Sequence, residues 1–129
     1  MEAEKPNMDQ FKALFKNPGT EPVFMLNLLK FNSEGGWASY ARYSREVETF
    51  LKGVGGEMMF MVKPNELLIG QETWDLAMLV KYPSRKDYLS MVNNPGYQAI
   101  HKYRAEAVER SVLYASDEMS AEQLLAMAK

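Results

Sequence analysis

Hydrophobic and polar residues alternate with two distinct periods along this chain. Pro22 to Phe31 reads as a strand whose odd face is Val23, Met25, Asn27, Leu29 and Phe31 and whose even face is Phe24, Leu26, Leu28 and Lys30. Both faces are mostly apolar, so both are expected to be covered. Trp37 to Leu51 follows the helical period instead. Trp37, Tyr40, Tyr43, Ser44, Val47, Phe50, Leu51 and Val54 share one face, and Arg42, Arg45, Thr49 and Lys52 lie opposite. Gly53, Gly55 and Gly56 end that helix. Glu57 to Lys63 reads as a second strand, and Leu67 to Gly70 either continues it past a bulge or pairs back on it. Trp74 to Tyr82 alternates as a third strand, with Trp74, Leu76, Met78, Val80 and Tyr82 on one face.

Ser84 is the expected N-cap of the next helix, with Asp87 three residues on. It carries Tyr88, Leu89, Met91 and Val92 and stops at Asn93-Asn94-Pro95-Gly96. A longer helix is expected over Tyr97 to Arg110, and a short last strand over Ser111 to Ala115. Two flanking helices complete the pattern. Asn7 to Phe15 has Asn7 and Gln10 at capping-box spacing and an apolar stripe of Met8, Phe11, Leu14 and Phe15. Ala121 to Ala128 is capped by Ser120, with Gln123 closing a capping box.

The order between the flanking helices is βαββαβ. That predicts an α+β, ferredoxin-like fold with a four-stranded antiparallel sheet and helices on one face. At 129 residues one domain is expected: an N-terminal helical extension over 1–21, a core over 22–116 and a C-terminal helix over 117–129. The helices leave one sheet face open, and that face is apolar. A homodimer through the open sheet face is the expected way to cover it.

Composition narrows the function. Lys plus Arg is 15 and Asp plus Glu is 17, a net charge of −2, which argues against nucleic-acid binding through a basic surface. There is no cysteine, so disulfides, thiolate metal sites and cysteine nucleophiles are excluded. The opening residues Met1 to Pro6 lack the basic and apolar regions of a signal peptide, and no run is long enough for a membrane span, so a cytoplasmic protein is expected. Zinc, EF-hand, dinucleotide-loop and Gly-x-Ser-x-Gly patterns are missing from the sequence. Neither a cofactor nor a metal is therefore expected. The methionines Met58, Met59 and Met61 read as adaptable core filling.

Chemistry has few candidates. Asn27 is the lone amide in an apolar strand, where it either orients a substrate oxygen or makes a structural hydrogen bond. On the last helix, Tyr97, Ile100, His101, Arg104, Ala107 and Val108 form the inward stripe. His101 is a candidate acid, base or ligand, and Arg104 a candidate clamp for a carboxylate. The plainer reading makes Arg104 half of an internal ion pair, for instance with Asp75 or Glu57. Tyr43 and Trp74 are aromatic groups that either line a common substrate space or simply pack.

A set of local patterns resembles one bacterial family. These are Pro22-Val23-Phe24-Met25-Leu26-Asn27-Leu28-Leu29-Lys30-Phe31, Tyr40-Ala41-Arg42-Tyr43, Gly55-Gly56, Leu68-Ile69-Gly70 and Trp74-Asp75. With them go Leu79-Val80-Lys81-Tyr82-Pro83-Ser84-Arg85, Met91-Val92-Asn93-Asn94-Pro95-Gly96-Tyr97-Gln98-Ala99, and Arg104. Together they resemble domain of unknown function 1330, from about Pro22 to Ala115. The resemblance implies a dimeric α/β-barrel of the ferredoxin-like class and no settled activity. Members of that family often carry His directly before the last helix's Arg. Here that position is Tyr103, and His101 lies two residues earlier.

The wider dimeric α/β-barrel class includes cofactor-independent monooxygenases and haem-degrading enzymes. Some pair a first-strand Asn with a Trp and a His or Tyr, and Asn27, Trp74 and His101 are similar to that set in type. Two functions are therefore expected to compete. One is small-molecule binding or monooxygenase-like turnover in a helix–sheet pocket. There Asn27 and His101 carry the chemistry, and Tyr43, Trp74 and Arg104 hold the substrate. The other is a non-catalytic dimeric module that senses a ligand or contacts a protein. An open pocket favours the first, and a closed helix–sheet space the second.

Overall fold

The computed structural model describes residues 5–17 and 19–128. Its elements are α1 (Met8–Lys16), β1 (Val23–Phe31), α2 (Gly36–Gly53), β2 (Glu57–Val62), β3 (Leu76–Tyr82), α3 (Arg85–Val92), α4 (Pro95–Ala107), β4 (Val108–Ser116) and α5 (Ala121–Met127). The strands form one antiparallel sheet in the order β2-β3-β1-β4. This is the ferredoxin-like α+β arrangement, with the second crossover broken into α3 and α4 at Asn93-Asn94.

The alternation along β1 sets the two faces. Val23, Met25, Asn27, Leu29 and Phe31 are buried, and the residues between them are half-buried. Their β3 partners are Tyr82, Val80, Met78 and Leu76, all buried on the same side. Tyr40 and Tyr43 of α2, Tyr88, Leu89 and Met91 of α3, and Tyr97 of α4 close this side into one core. The other side of the sheet carries Phe24, Leu26 and Leu28 of β1 beside Leu79 and Ala77 of β3 and Val112 and Tyr114 of β4. No helix layer of the described residues covers it.

Helix entries follow local chemistry. Ser84 Oγ accepts from Asp87 N–H at 3.1 Å and donates to the Asp87 carboxylate at 2.7 Å. Asn94 Oδ1 accepts from Gly96 N–H at 2.8 Å. Ser120 and Gln123 form the expected capping box in full. Gly35 enters α2 at φ +76°, and a Cβ on Gly36 would meet Ala107 O at 2.7 Å and Phe31 Cβ at 2.8 Å.

Five expectations need correction. Met58, Met59 and Met61 do not fill the core, because they lie on edge strand β2 and are 39–47% exposed. The last helix ends at Ala107 and β4 begins at Val108, rather than at Arg110 and Ser111. The cause is pairing: Phe31 takes Val108 and Lys30 takes Arg110, while Asn32 holds the junction with N–H to Ala107 O and its side chain to Glu106 O. β3 starts at Leu76, not Trp74, because Asp75 turns its carboxylate to Phe31 N–H at 2.9 Å. Leu67 to Gly70 forms no strand; the stretch from 63 to 75 connects β2 to β3 without regular structure. Asn7 makes no side-chain cap, and α1 buries none of its residues, with Leu14 alone reaching the core.

Candidate functional site

The apolar pattern of β1 places Asn27 at mid-strand, facing the helices and 7% exposed. Its Nδ2 donates to Met25 O at 3.1 Å. Its Oδ1 accepts from Arg104 Nη2 at 3.0 Å. Arg104 projects from α4 and is 6% exposed. Burial pushes its guanidinium down to about 10, so it remains a cation at neutral pH. The suggested carboxylates are placed elsewhere. Asp75 is bonded to Phe31 N–H and to Lys30 Nζ at 3.4 Å, and Glu57 is exposed at the start of edge strand β2.

Beside this pair runs a chain of phenols. Tyr40 OH donates to the sulfur of Met78, which is the β3 partner of Asn27, at 3.6 Å. Tyr40 packs on Tyr43 with ring centroids 5.4 Å apart. The hydroxyls of Tyr43 and Tyr97 share a hydrogen bond at 3.0 Å. Tyr97 in turn lies 5.9 Å from the ring of His101. Burial raises the hydroxyls of Tyr43 and Tyr97 above the ordinary phenol range, so both stay protonated donors. His101 is half-buried at the end of this row, and burial lowers its imidazole below the usual value.

Of the residues singled out from the sequence, Asn27 and Arg104 are brought into contact, and Tyr43 and His101 are linked through Tyr97. Trp74 stands apart. It precedes the first residue of β3, four residues before Met78. There it stacks under the Arg110 guanidinium at 4.2 Å. Tyr97 was not singled out for chemistry, although its place four residues before His101 on the inward stripe puts the two rings on one helix face.

Two surface hollows lie away from this row. One, of about 470 Å³, is lined by Lys30, Asn32, Trp37, Asp75 and Glu109 among others. The other, of about 620 Å³, lies between Phe24 and Lys81 of the open face and Met119, Ser120 and Gln123. Neither is lined by Asn27, Tyr43, His101 or Arg104. Among the described residues no group of three His, Cys, Asp or Glu is placed to hold a metal ion. No helix among them is long and apolar enough to cross a membrane.

The family model for a domain of unknown function, DUF1330, matches residues 24–117. The chain belongs to the DUF1330 family. This match takes in the sheet except Val23, both crossovers, and the Asn27–Arg104 pair. No curated protein matches the chain. Among solved structures, the RPA0582 protein of unknown function from Rhodopseudomonas palustris is similar at TM-score 0.83 and 26% identity, covering 93% of this chain and 99% of its own. A dimeric protein of unknown function and ferredoxin-like fold from Bacteroides fragilis is similar at TM-score 0.55 and 14% identity, over 79% of this chain and 100% of its own. A putative antibiotic biosynthesis monooxygenase from Bacteroides thetaiotaomicron gives TM-score 0.58 and 15% identity, over 78% and 91%. The last two share the fold of this DUF1330 chain.

Proposed function

We propose that this chain is a cytoplasmic homodimer that binds a small organic acid between the helices and the sheet. The carrying observation is the Arg104–Asn27 hydrogen bond at 3.0 Å inside an otherwise apolar layer. A buried cation held by a neutral amide is suited to exchange that amide for a carboxylate, which binds guanidinium more strongly. The Tyr43–Tyr97 hydroxyls supply neutral donors nearby, and half-buried His101 offers a proton shuttle at the entrance. An acid–base role for His101 and an orienting role for Asn27 are the monooxygenase-like extension of this reading. The apolar open face, with Phe24, Leu26, Leu28, Leu79 and Val112 on neighbouring strands, supports the dimer. So does the described dimer of the Bacteroides fragilis structure with the same fold.

One observation favours a second reading, a non-catalytic dimeric module. Asn27 and Arg104 are already bonded to one another, and the two hollows described above are lined by other residues. Native mass spectrometry against the denatured mass separates the two, followed by calorimetric titration with succinate and phenylacetate. A retained acidic ligand or measurable carboxylate binding, lost in Asn27→Ala and His101→Ala with the fold intact, supports the binding site. A bare dimer that takes neither acid, or variants that bind as well as the parent, leaves the module. A monomer overturns the dimer.

A further inference from the structure

The hollow of about 470 Å³ lies where the end of β1 meets the starts of α2 and β4. Small-molecule sites span roughly 300–1,000 Å³, so a small ligand fits it. One wall is Trp37, in the first turn of α2 and 51% exposed. The ring is nonetheless fixed. It packs edge-on against buried Phe31 with centroids 4.6 Å apart. The core thus holds one side of the indole and leaves the rest bare.

A break in the strand ladder brings a carboxylate to the same hollow. Phe31 pairs with Val108 and Lys30 with Arg110, so Glu109 is the extra residue of a β-bulge and has no partner on β1. Bulges re-aim side chains in this way beside active sites. Glu109 lines the hollow, is exposed, and makes no ion pair among the described residues.

The bases at this corner are engaged already. Lys30 Nζ lies 3.4 Å from Asp75 Oδ1, and the two charges offset one another. Arg110 stacks on Trp74 at 4.2 Å and donates to Thr73 O. The start of α2 adds a partial positive charge, which the exposed carboxylate of Glu34, two residues before the helix, offsets. The charge of Glu109 remains, beside a bare aromatic ring. That combination suits a cation carried on an apolar body. An anion would meet Glu109 and Glu34 instead.

We propose that this hollow binds a small organic ammonium ion of one positive charge, with its alkyl groups against Trp37 and Glu109 as its counter-ion. The site shares no residue with the Asn27–Arg104 pair, so each stands or falls without the other.

The chain's two tryptophans make the test direct. They give two indole N–H resonances, which a Trp74→Phe variant assigns. Choline chloride, titrated at constant ionic strength, is expected to shift the Trp37 resonance along a saturable curve and to leave that of Trp74 in place. A dimethylbutanol, the uncharged carbon isostere of choline, is expected to bind about five- to thirtyfold more weakly. Glu109→Gln is expected to weaken choline at least about threefold and to leave the alcohol unaffected. Equal binding of choline and the alcohol overturns the site. So does a shift that never saturates, or choline binding unchanged in Glu109→Gln. Movement of the Trp74 resonance in place of Trp37 puts the cation on the Arg110 stack, which also overturns it.

Discussion

Replacing Asn27 by leucine takes the Oδ1 acceptor from Arg104 Nη2 inside the core. A hydrogen bond to a charged group contributes about 1.5–3 kcal/mol, and breaking a buried charged pair from one side costs up to about 3–5 kcal/mol. Because Arg104 is 6% exposed, water replaces little of that loss, and a destabilisation of about 2–4 kcal/mol is expected. Chains of this size are stable by roughly 6–19 kcal/mol, so the variant folds but melts some 6–20 °C lower. Arg104→Met removes the buried charge and strands the Asn27 carbonyl, at about 1–3 kcal/mol. The double variant Asn27→Leu/Arg104→Met removes both polar ends, and is expected to return to within about 1 kcal/mol of the parent or to exceed it. The coupling is then about 2–6 kcal/mol. Urea unfolding followed by intrinsic fluorescence measures all four corners, at one fixed protomer concentration because dimerisation shifts apparent stability. A loss below about 0.5 kcal/mol for Asn27→Leu refutes the reasoning, since the pair would then contribute almost nothing. Additive effects in the double variant refute it as well. If the site binds an acid, the double variant regains stability without regaining binding, which separates the two roles of the pair.

Three further outcomes are expected. The imidazole of His101 is lowered by burial, so the unfolded chain takes up a proton at a higher pH than the folded one. Stability is then full above the ordinary value near 6.5 and declines as pH falls through the lowered folded value; His101→Gln flattens that part of a pH–melting series. Gly36→Ala forces a methyl group against Ala107 O and Phe31 Cβ, atoms of the backbone and core that cannot swing away. A loss of about 1–3 kcal/mol in chemical unfolding is expected. Ser84→Ala removes the acceptor for Asp87 N–H and lowers stability by about 1 kcal/mol, whereas Ser84→Thr loses only part of it.

Much of the fold is legible in the residues because one face of each central strand is buried. The alternation in β1 and β3 groups Val23, Met25, Asn27 and Leu29 on one face, and the structure turns that face to the helices. The α4–β4 boundary is not legible. Ala107-Val108-Glu109-Arg110 continues a helical stripe and also suits a strand, and the choice falls to pairing with Lys30 and Phe31 from the other end of the chain. The apolar run Leu67-Leu68-Ile69 reads as a strand by composition but finds no partner edge. At the site, Asn27 announces itself as an amide among hydrocarbons. Its partner does not, because which α4 side chain reaches β1 depends on how helix and sheet are docked. Trp74 misleads for a related reason: it sits beyond the end of its strand, where it turns to Arg110.

The strand order has a consequence for how the chain is made. β1 lies inside the sheet between β3 and β4, and Phe24 meets Ser116. On a ribosome, β1 emerges well before β4, so one of its two edges stays bare until β4 has been added. Throughout synthesis a nine-residue apolar ribbon with two sticky faces has no native neighbour on that side. Shielding of that bare edge during synthesis is then expected to raise the yield of folded molecules. Premature termination anywhere before β4 leaves a fragment that aggregates in place of a smaller stable protein.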